Sequence, residues 1–313
     1  MKLGIFGYGN LGKAVERAAH ISGDEIVGVF TRRTPESVGC AESPVYDSDC
    51  AEQFADRIDV LAVCGGSAFD LPTMTPTLAR SFNVVDSYDN HGEMISHVGQ
   101  VDRAARESGH TAIVGCGWDP GLFSLARLYF SAFFPGGNVT SYWGRGVSQG
   151  HSEAVRRIDG VADARQYTVP RDDVLDRVRS GGETAAPTDL HRREVYVVAE
   201  DGADREKIEH EIRSLDGYFM GYETSVTFIT ADEMARKHSG LAHGGGVLAV
   251  GGEDGRRSRA ELTLSLESNP DFTARILLAY ARAAYRLNIR GEIGAKTVFD
   301  IAARDILDDT LLL

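Results

Sequence analysis

The sequence predicts an α/β fold, a doubly wound parallel sheet, followed by an α+β domain with a mixed or antiparallel sheet. Three observations carry this. Over residues 1–117, short continuous apolar runs alternate with amphipathic ones, the pattern of strands covered on both faces by helices. After residue 118 the texture changes to apolar–polar alternation, the period of half-exposed strands. Between the first strand and the first helix lies a glycine turn, "GYGNLG" (7–12).

In order, "KLGIFG" (2–7) reads as a buried strand, "LGKAVERAAHI" (11–21) as a helix and "EIVGVFT" (25–31) as the second strand. Strand "VLAVCGG" (60–66), helix "MTPTLARSF" (74–82), strand "NVVDSY" (83–88), helix 94–109 and strand "TAIVGCG" (111–117) complete a β–α–β rhythm. Strands follow at 139–146, 164–170, 192–200, 224–230 and 259–268, with helices "EAVRRI", "RDDVLDRVRSG" and "DREKIEHEIRSL" between them. Residues 118–268 thus read as an α+β second domain. From "NPDFTARILLAYARAAYRLN" (269–288) a long helix opens a C-terminal segment, 269–313, expected to pack across the domain junction.

The length of 313 residues suits about two domains. With 42% hydrophobic and 25% charged residues the composition is that of a soluble globular chain. No apolar run reaches the ~18–20 residues that span a bilayer, so no membrane partner is expected. The N-terminus runs straight into strand and turn, which predicts no signal peptide. Cys40, Cys50, Cys64 and Cys116 are far apart; no disulfide framework or metal site is expected, and a cytoplasmic location fits. The net charge of −13, without a basic block, argues against nucleic acid.

Gly7, Gly9 and Gly12 fill G-x-G-x-x-G where such a turn binds a dinucleotide: Gly7 for the tight turn, Gly9 for close approach of the pyrophosphate, Gly12 for helix–strand packing. The helix N-terminus adds free N–H groups and a positive dipole end. This makes the first domain Rossmann-type. At the end of the second strand, where an acid usually grips the adenosine ribose, stand Thr31, Arg32 and Arg33. Two guanidinium forks there suit a 2′-phosphate, so the cofactor reads as NADP. "CGGS" (Cys64, Gly65, Gly66, Ser67) can pass beside the pyrophosphate, with Cys64 a small buried residue rather than a nucleophile.

Two polar groups fall beyond strand ends, "SYDNHGE" (87–93) and "CGWDPG" (116–121). Asp89 and Asp119 have two readings: a carboxylate pair for acid–base work or for holding an ammonium, or helix caps. In the second domain Trp143 reads as core or ligand wall, and Arg193 as an edge residue or an anion ligand. His243, before three glycines, reads as a ligand-facing residue. No nucleophile elbow or Cys/His pairing appears.

With "GYGNLG", "FTRR", "CGGSAFDLP", "YDNH", "GWDPGLFS", "YWGRGVSQGHSEAVRRI", "QYTVP", "MGYETSVTFI", "HSGLAHGG" and "NPDFTA" in this order, nearly the whole chain resembles the meso-diaminopimelate dehydrogenase family. The resemblance implies an NADP-dependent, reversible oxidative deamination at the D-centre of meso-2,6-diaminopimelate, giving L-2-amino-6-oxopimelate and ammonia, in lysine and peptidoglycan-precursor synthesis. It implies a homodimer. Carried over by position, Tyr8, Asn10 and Leu11, Thr31 to Arg33, Cys64 to Ser67, Ser87, Tyr88 and Asp89 meet the cofactor, and Cys116, Gly117 and Pro120 border both ligands. Asp89, Trp118, Asp119 and Trp143, with Gln149 and Gly150 nearby, hold the D-centre. Thr168, Arg193, His243 and Asn269 hold the L-centre. Acids are expected near the D-centre at positions 93 and 153, and both are glutamate here. The rival readings are another NADP-linked imine or aldehyde reductase, which would not need the Thr168–Arg193–His243–Asn269 set, and a non-catalytic NADP(H)-binding protein.

Overall fold

A computed structural model describes residues 1–39, 43–181, 184–252 and 256–307; Cys40 lies outside them. The chain forms two compact units, Met1–Leu125 with Pro270–Leu313, and Ala126–Asn269. Its elements run β1 (Lys2–Phe6), α1 (Asn10–Ser22), β2 (Glu25–Thr31), β3 (Val45–Asp47), β4 (Val60–Val63), α2 (Leu71–Leu78), β5 (Val84–Asp86), α3 (Met94–Ser108), β6 (Thr111–Ile113) and α4 (Leu122–Phe133). Then come β7 (Asn138–Trp143), β8 (Gly146–Ser148), α5 (Gln149–Arg156), β9 (Val161–Pro170), α6 (Asp172–Arg179), α7 (Pro187–Leu190), β10 (His191–Ala199), α8 (Arg205–Ser214) and β11 (Glu223–Phe228). The series closes with α9 (Ala231–Lys237), β12 (His243–Gly251), β13 (Ser258–Leu266), α10 (Asn269–Ile289), β14 (Gly294–Lys296) and α11 (Ala303–Ile306).

The first unit is built on a seven-stranded sheet in the order β14-β6-β5-β4-β1-β2-β3, every pairing parallel. The order reverses between β1 and β4, which opens the crevice where ligands of such sheets bind. Continuous apolar strands follow from the two covered faces. Leu3, Ile5, Val29, Ala62, Val85 and Ile113 join one core with α1 and α10. Their neighbours Phe6, Phe30, Leu61, Val63, Val84 and Ala112 join another with α2 and α3. Successive side chains point to opposite faces, so both must be apolar.

Several elements differ from expectation. β3 and β14, three residues each, carry too little pattern to register in the sequence. The helix expected at 74–82 spans Leu71–Leu78, because Pro72 sits in its first turn, where a proline starts a helix rather than breaks it. β4, β5 and β6 end earlier than expected, leaving Cys64–Ser67, Ser87–Asp89 and Cys116–Pro120 in loops beyond the strand ends.

The second unit has two sheets. The four-stranded one, β11-β10-β9-β8, is mixed: β10 and β11 pair in parallel, with α8 on the crossover between them. The three-stranded one, β13-β12-β7, is antiparallel. β12 includes the glycine run after His243 and is central, a strand the sequence reading missed. Glycine is needed there for close approach of the neighbours: a Cβ on Gly244 would meet the Leu264 carbonyl oxygen at 2.3 Å.

Candidate active site

The glycine turn fits a dinucleotide. Gly7 has φ +96°, and a Cβ there would meet the Cys64 carbonyl oxygen at 2.9 Å. A Cβ on Gly12 would meet the Gly7 oxygen at 2.1 Å, whereas one on Gly9 meets nothing within 4 Å. Gly9 therefore faces open space, and it caps α1 without any side-chain cap or first-turn acid. The first N–H groups of α1 are left for an anion. A cavity of about 290 Å³ opens here, lined among others by Gly7, Tyr8, Gly9, Thr31, Arg32, Arg33, Cys64, Gly65 and Gly66. These donors and this space fit NADP.

Arg33 donates to the Tyr8 carbonyl, and its N–H donates to Thr31 Oγ1 at 3.2 Å. Arg32 meets Asp70 at 3.0 Å, and the same carboxylate accepts the Gly66 N–H at 2.8 Å. Asp70 was not singled out in the sequence. The Tyr8 phenol turns inward to the buried Glu16, so Tyr8 offers the cavity mainly its backbone. Burial pushes the Cys64 thiol up to about 12, which excludes it as a nucleophile at neutral pH. Burial, then Asp86, likewise raises Cys116. Asn10, Leu11, Ser67, Ser87, Tyr88, Cys116, Gly117 and Pro120 are not part of the cavity wall.

Beyond β5 and β6, two loops bring Asp89 and Asp119 into electrostatic range. The surrounding protein desolvates the Asp89 carboxyl, although the residue stays exposed, and this raises its pKa. Ser67 and His91 oppose the shift, and the charge of Asp119 adds to it. The Asp89 N–H donates to Ser67 Oγ at 2.9 Å. The Asp119 side chain is only 2% exposed and lies 4.0 Å from His91 Nε2. Trp118 is buried edge-on against Phe123 at 5.2 Å. Asp89 does not cap α3, whose N-cap is Glu93.

The second unit gathers another set. Thr168 on β9 faces Arg193 on β10 in register, and Gly146 on β8 faces Thr168. Arg193 is 6% exposed. It donates to Thr168 Oγ1 and lies over the Tyr222 ring at 4.1 Å, while its Nε has no partner. No carboxylate among the described residues pairs with it, so Arg193 is a buried cation rather than an edge residue. A Cβ on Gly146 would meet the His243 ring at 2.6 Å, which places His243 against β8 beside Thr168. Burial lowers the His243 pKa, the Gly244 backbone opposes this, and Arg193 lowers it further. Trp143 sits opposite Gly245, and its N–H donates to His191 Nε2 at 2.9 Å. Gln149 and Gly150 open α5 and are exposed. Asn269 opens α10, its N–H on the Leu241 carbonyl at 2.9 Å. Glu153 is engaged by Arg156 at 2.8 Å and Arg157 at 3.2 Å on its own helix.

Two histidines that the sequence reading passed over shape this set. His191 accepts from Trp143 and so carries its proton on Nδ1, facing the Pro187 carbonyl at 2.9 Å. Burial pushes its pKa down to about 4, against the Pro187 carbonyl and with help from Arg193. His151, bonded to Ser148 Oγ at 2.7 Å, is pushed to about 3 by burial, then Arg193, then His243. Both folded-state values lie below the 6.5 of a free histidine, so the unfolded chain binds these protons first. The stability the neutral rings contribute is complete above pH ~6.5 and is lost as pH falls toward 4 and then 3. Melting temperature should therefore drop between pH 6.5 and 4, and less steeply in His191→Gln; identical profiles would contradict the assignment.

Residues 117–268 match the family model for the diaminopimelic acid dehydrogenase C-terminal domain. A meso-diaminopimelate D-dehydrogenase of Ureibacillus thermosphaericus is 50% identical over 305 residues, 96% of this chain and 94% of that one. One of Acetivibrio thermocellus is 48% identical over 308 residues, covering 96% and 92%. Among solved structures, the DAP dehydrogenase of C. glutamicum in complex with DAP superposes with a TM-score of 0.94 at 40% identity, covering 99% of this chain and 96% of that one. An engineered D-amino acid dehydrogenase bound to NADP+ gives 0.92 at 39%, covering 99% and 97%. At these identities over nearly its full length, the chain belongs to the meso-diaminopimelate D-dehydrogenase family.

Proposed function

We propose that the protein is an NADP-dependent dehydrogenase that reversibly deaminates the D-centre of meso-2,6-diaminopimelate, giving L-2-amino-6-oxopimelate and ammonia. Family membership supports this reading, and one observation carries its chemistry: Arg193 is buried, and among the described residues no carboxylate pairs with it and its Nε has no partner. A buried guanidinium in that state is costly unless a ligand supplies the anion. The substrate's L-centre carboxylate is that anion. Thr168 adds a hydroxyl. His243 and Asn269 are assigned to the same end of the substrate, with His243 neutral.

When bound, the nicotinamide supplies the hydride acceptor. The substrate amine must be unprotonated as hydride leaves, because an ammonium cannot feed electrons into a forming imine. One carboxylate of the Asp89–Asp119 pair, or a water it orients, is assigned to receive that proton. Desolvation, and to a lesser degree the like charge of Asp119, raise the Asp89 pKa, which makes Asp89 a stronger base than an ordinary aspartate. Trp118, Trp143, Gln149 and Gly150 are assigned to enclose the D-centre. Water then adds to the iminium carbon, and ammonia leaves. Arg32, Arg33 and Thr31 take the 2′-phosphate, and the α1 N-terminus takes the pyrophosphate. We assign a homodimer in the cytoplasm on the family resemblance; among the described residues no helix is long and apolar enough to cross a membrane.

Absorbance of reduced nicotinamide at alkaline pH tests the reading. Turnover is expected with meso-diaminopimelate and NADP+, little with NAD+ and none with the L,L isomer; equal rates with the L,L isomer would refute the one-ended clamp. Asp119→Asn should lower kcat by ~10²-fold or more, the usual contribution of a positioned base, with NADP+ affinity unchanged. A wild-type rate and pH profile in that variant would remove Asp119 from the proton path.

A further inference from the structure

We propose that Asp86 and His97 form a buried positioning pair that holds in place the two loops carrying Asp89 and Asp119, an inference that rests on those loops serving the reacting centre. Asp86 is the last residue of β5 and is 0% exposed. All its acceptor capacity is used. Oδ1 accepts the Tyr88 N–H at 3.1 Å and the Gly115 N–H at 2.9 Å; Oδ2 accepts Thr75 Oγ1 at 2.8 Å and His97 Nε2 at 2.8 Å. Its carbonyl takes the Cys116 N–H at 2.8 Å. One carboxylate thus binds backbone donors from both loops. Tyr88 directly precedes Asp89, and Gly115 stands in the loop that ends at Asp119.

His97 comes from α3, where it also stacks on the Tyr88 ring at 4.1 Å. It is buried, and its Nδ1 has no partner among the described residues. An apolar side chain would fill that space without leaving an unmet ring nitrogen, so packing alone does not account for a histidine. Its Nε2 bond orients the carboxylate, which in turn fixes two amides 27 residues apart in sequence. Such a network is worth having where ångström-scale placement governs a rate. The sequence does hold a trace of it, an aspartate inside the apolar run "NVVD".

The test compares His97→Leu, which removes the donor, with His97→Gln, which restores one. His97→Leu should lose ~10²-fold in kcat, the cost of misplacing reacting groups by about an ångström, with KM for meso-diaminopimelate and Kd for NADP+ within about threefold of wild type on the same scale. Amide hydrogen exchange should quicken at 87–93 and 114–121 and not elsewhere in the sheet, and His97→Gln should recover most of the rate. A His97→Leu enzyme with wild-type kcat, or a His97→Gln enzyme as impaired as His97→Leu, would overturn the proposal. If His97→Leu does not fold, Thr75→Val removes one donor to the same carboxylate at nearly constant volume. It should show a smaller kcat loss with the same exchange pattern, and unchanged exchange would overturn the proposal. The exchange readout needs no turnover, so it separates failure of this inference from failure of the assigned reaction.

Discussion

A buried cation that no carboxylate among the described residues neutralises organises the second unit. Arg193 sits on an interior strand with a threonine hydroxyl and a tyrosine ring for company. Its charge is felt by His151, His191 and His243, and in each case it lowers the ring's basicity after burial has already done so. The result is three imidazoles whose basicity is lowered by burial and by one buried positive charge. The free protein bears the cost of holding it ready, as functional sites commonly do.

The first unit solves a different problem, holding anions in an acidic protein. It does so with backbone. The uncapped start of α1, the open side of Gly9 and the paired arginines at the end of β2 concentrate positive potential locally. Asp70 tempers this by holding Arg32 and the Gly66 amide together, which keeps a long side chain near the place where it is needed. At the same carboxyl end of the sheet, after β5, Asp86 uses the reverse arrangement, one carboxylate serving donors from two loops. In both places a single charged group replaces several weaker contacts in fixing a loop.

Much of this was legible in the sequence because it was local. The glycine turn, the missing acid before Arg32 and the change of period near residue 118 are statements about neighbours in the chain. What escaped depends on partners far apart. β12 was not read as a strand because its glycines carry no side-chain pattern; only the neighbouring strands β7 and β13 explain them. Arg193 looked like an edge residue until β9 and Tyr222 enclosed it. Asp86, His97 and His191 are single polar residues that belong to no recognisable motif, and their roles exist only once the loops and strands that they join are assembled. Glu153 is a further case: the family resemblance suggested an acid near the D-centre there, and arginines one turn along its helix engage that carboxylate.

The most direct measurement is the thermal stability of Arg193→Met with and without meso-diaminopimelate. A buried charge kept for a ligand, rather than for the fold, can be replaced by an apolar side chain of similar length at little cost. The variant should melt at or above the wild-type temperature when free, and should lose the upward shift that substrate gives the wild type. A variant that melts well below wild type and still gains the full shift with substrate would show that Arg193 supports the fold and that the carboxylate is bound elsewhere.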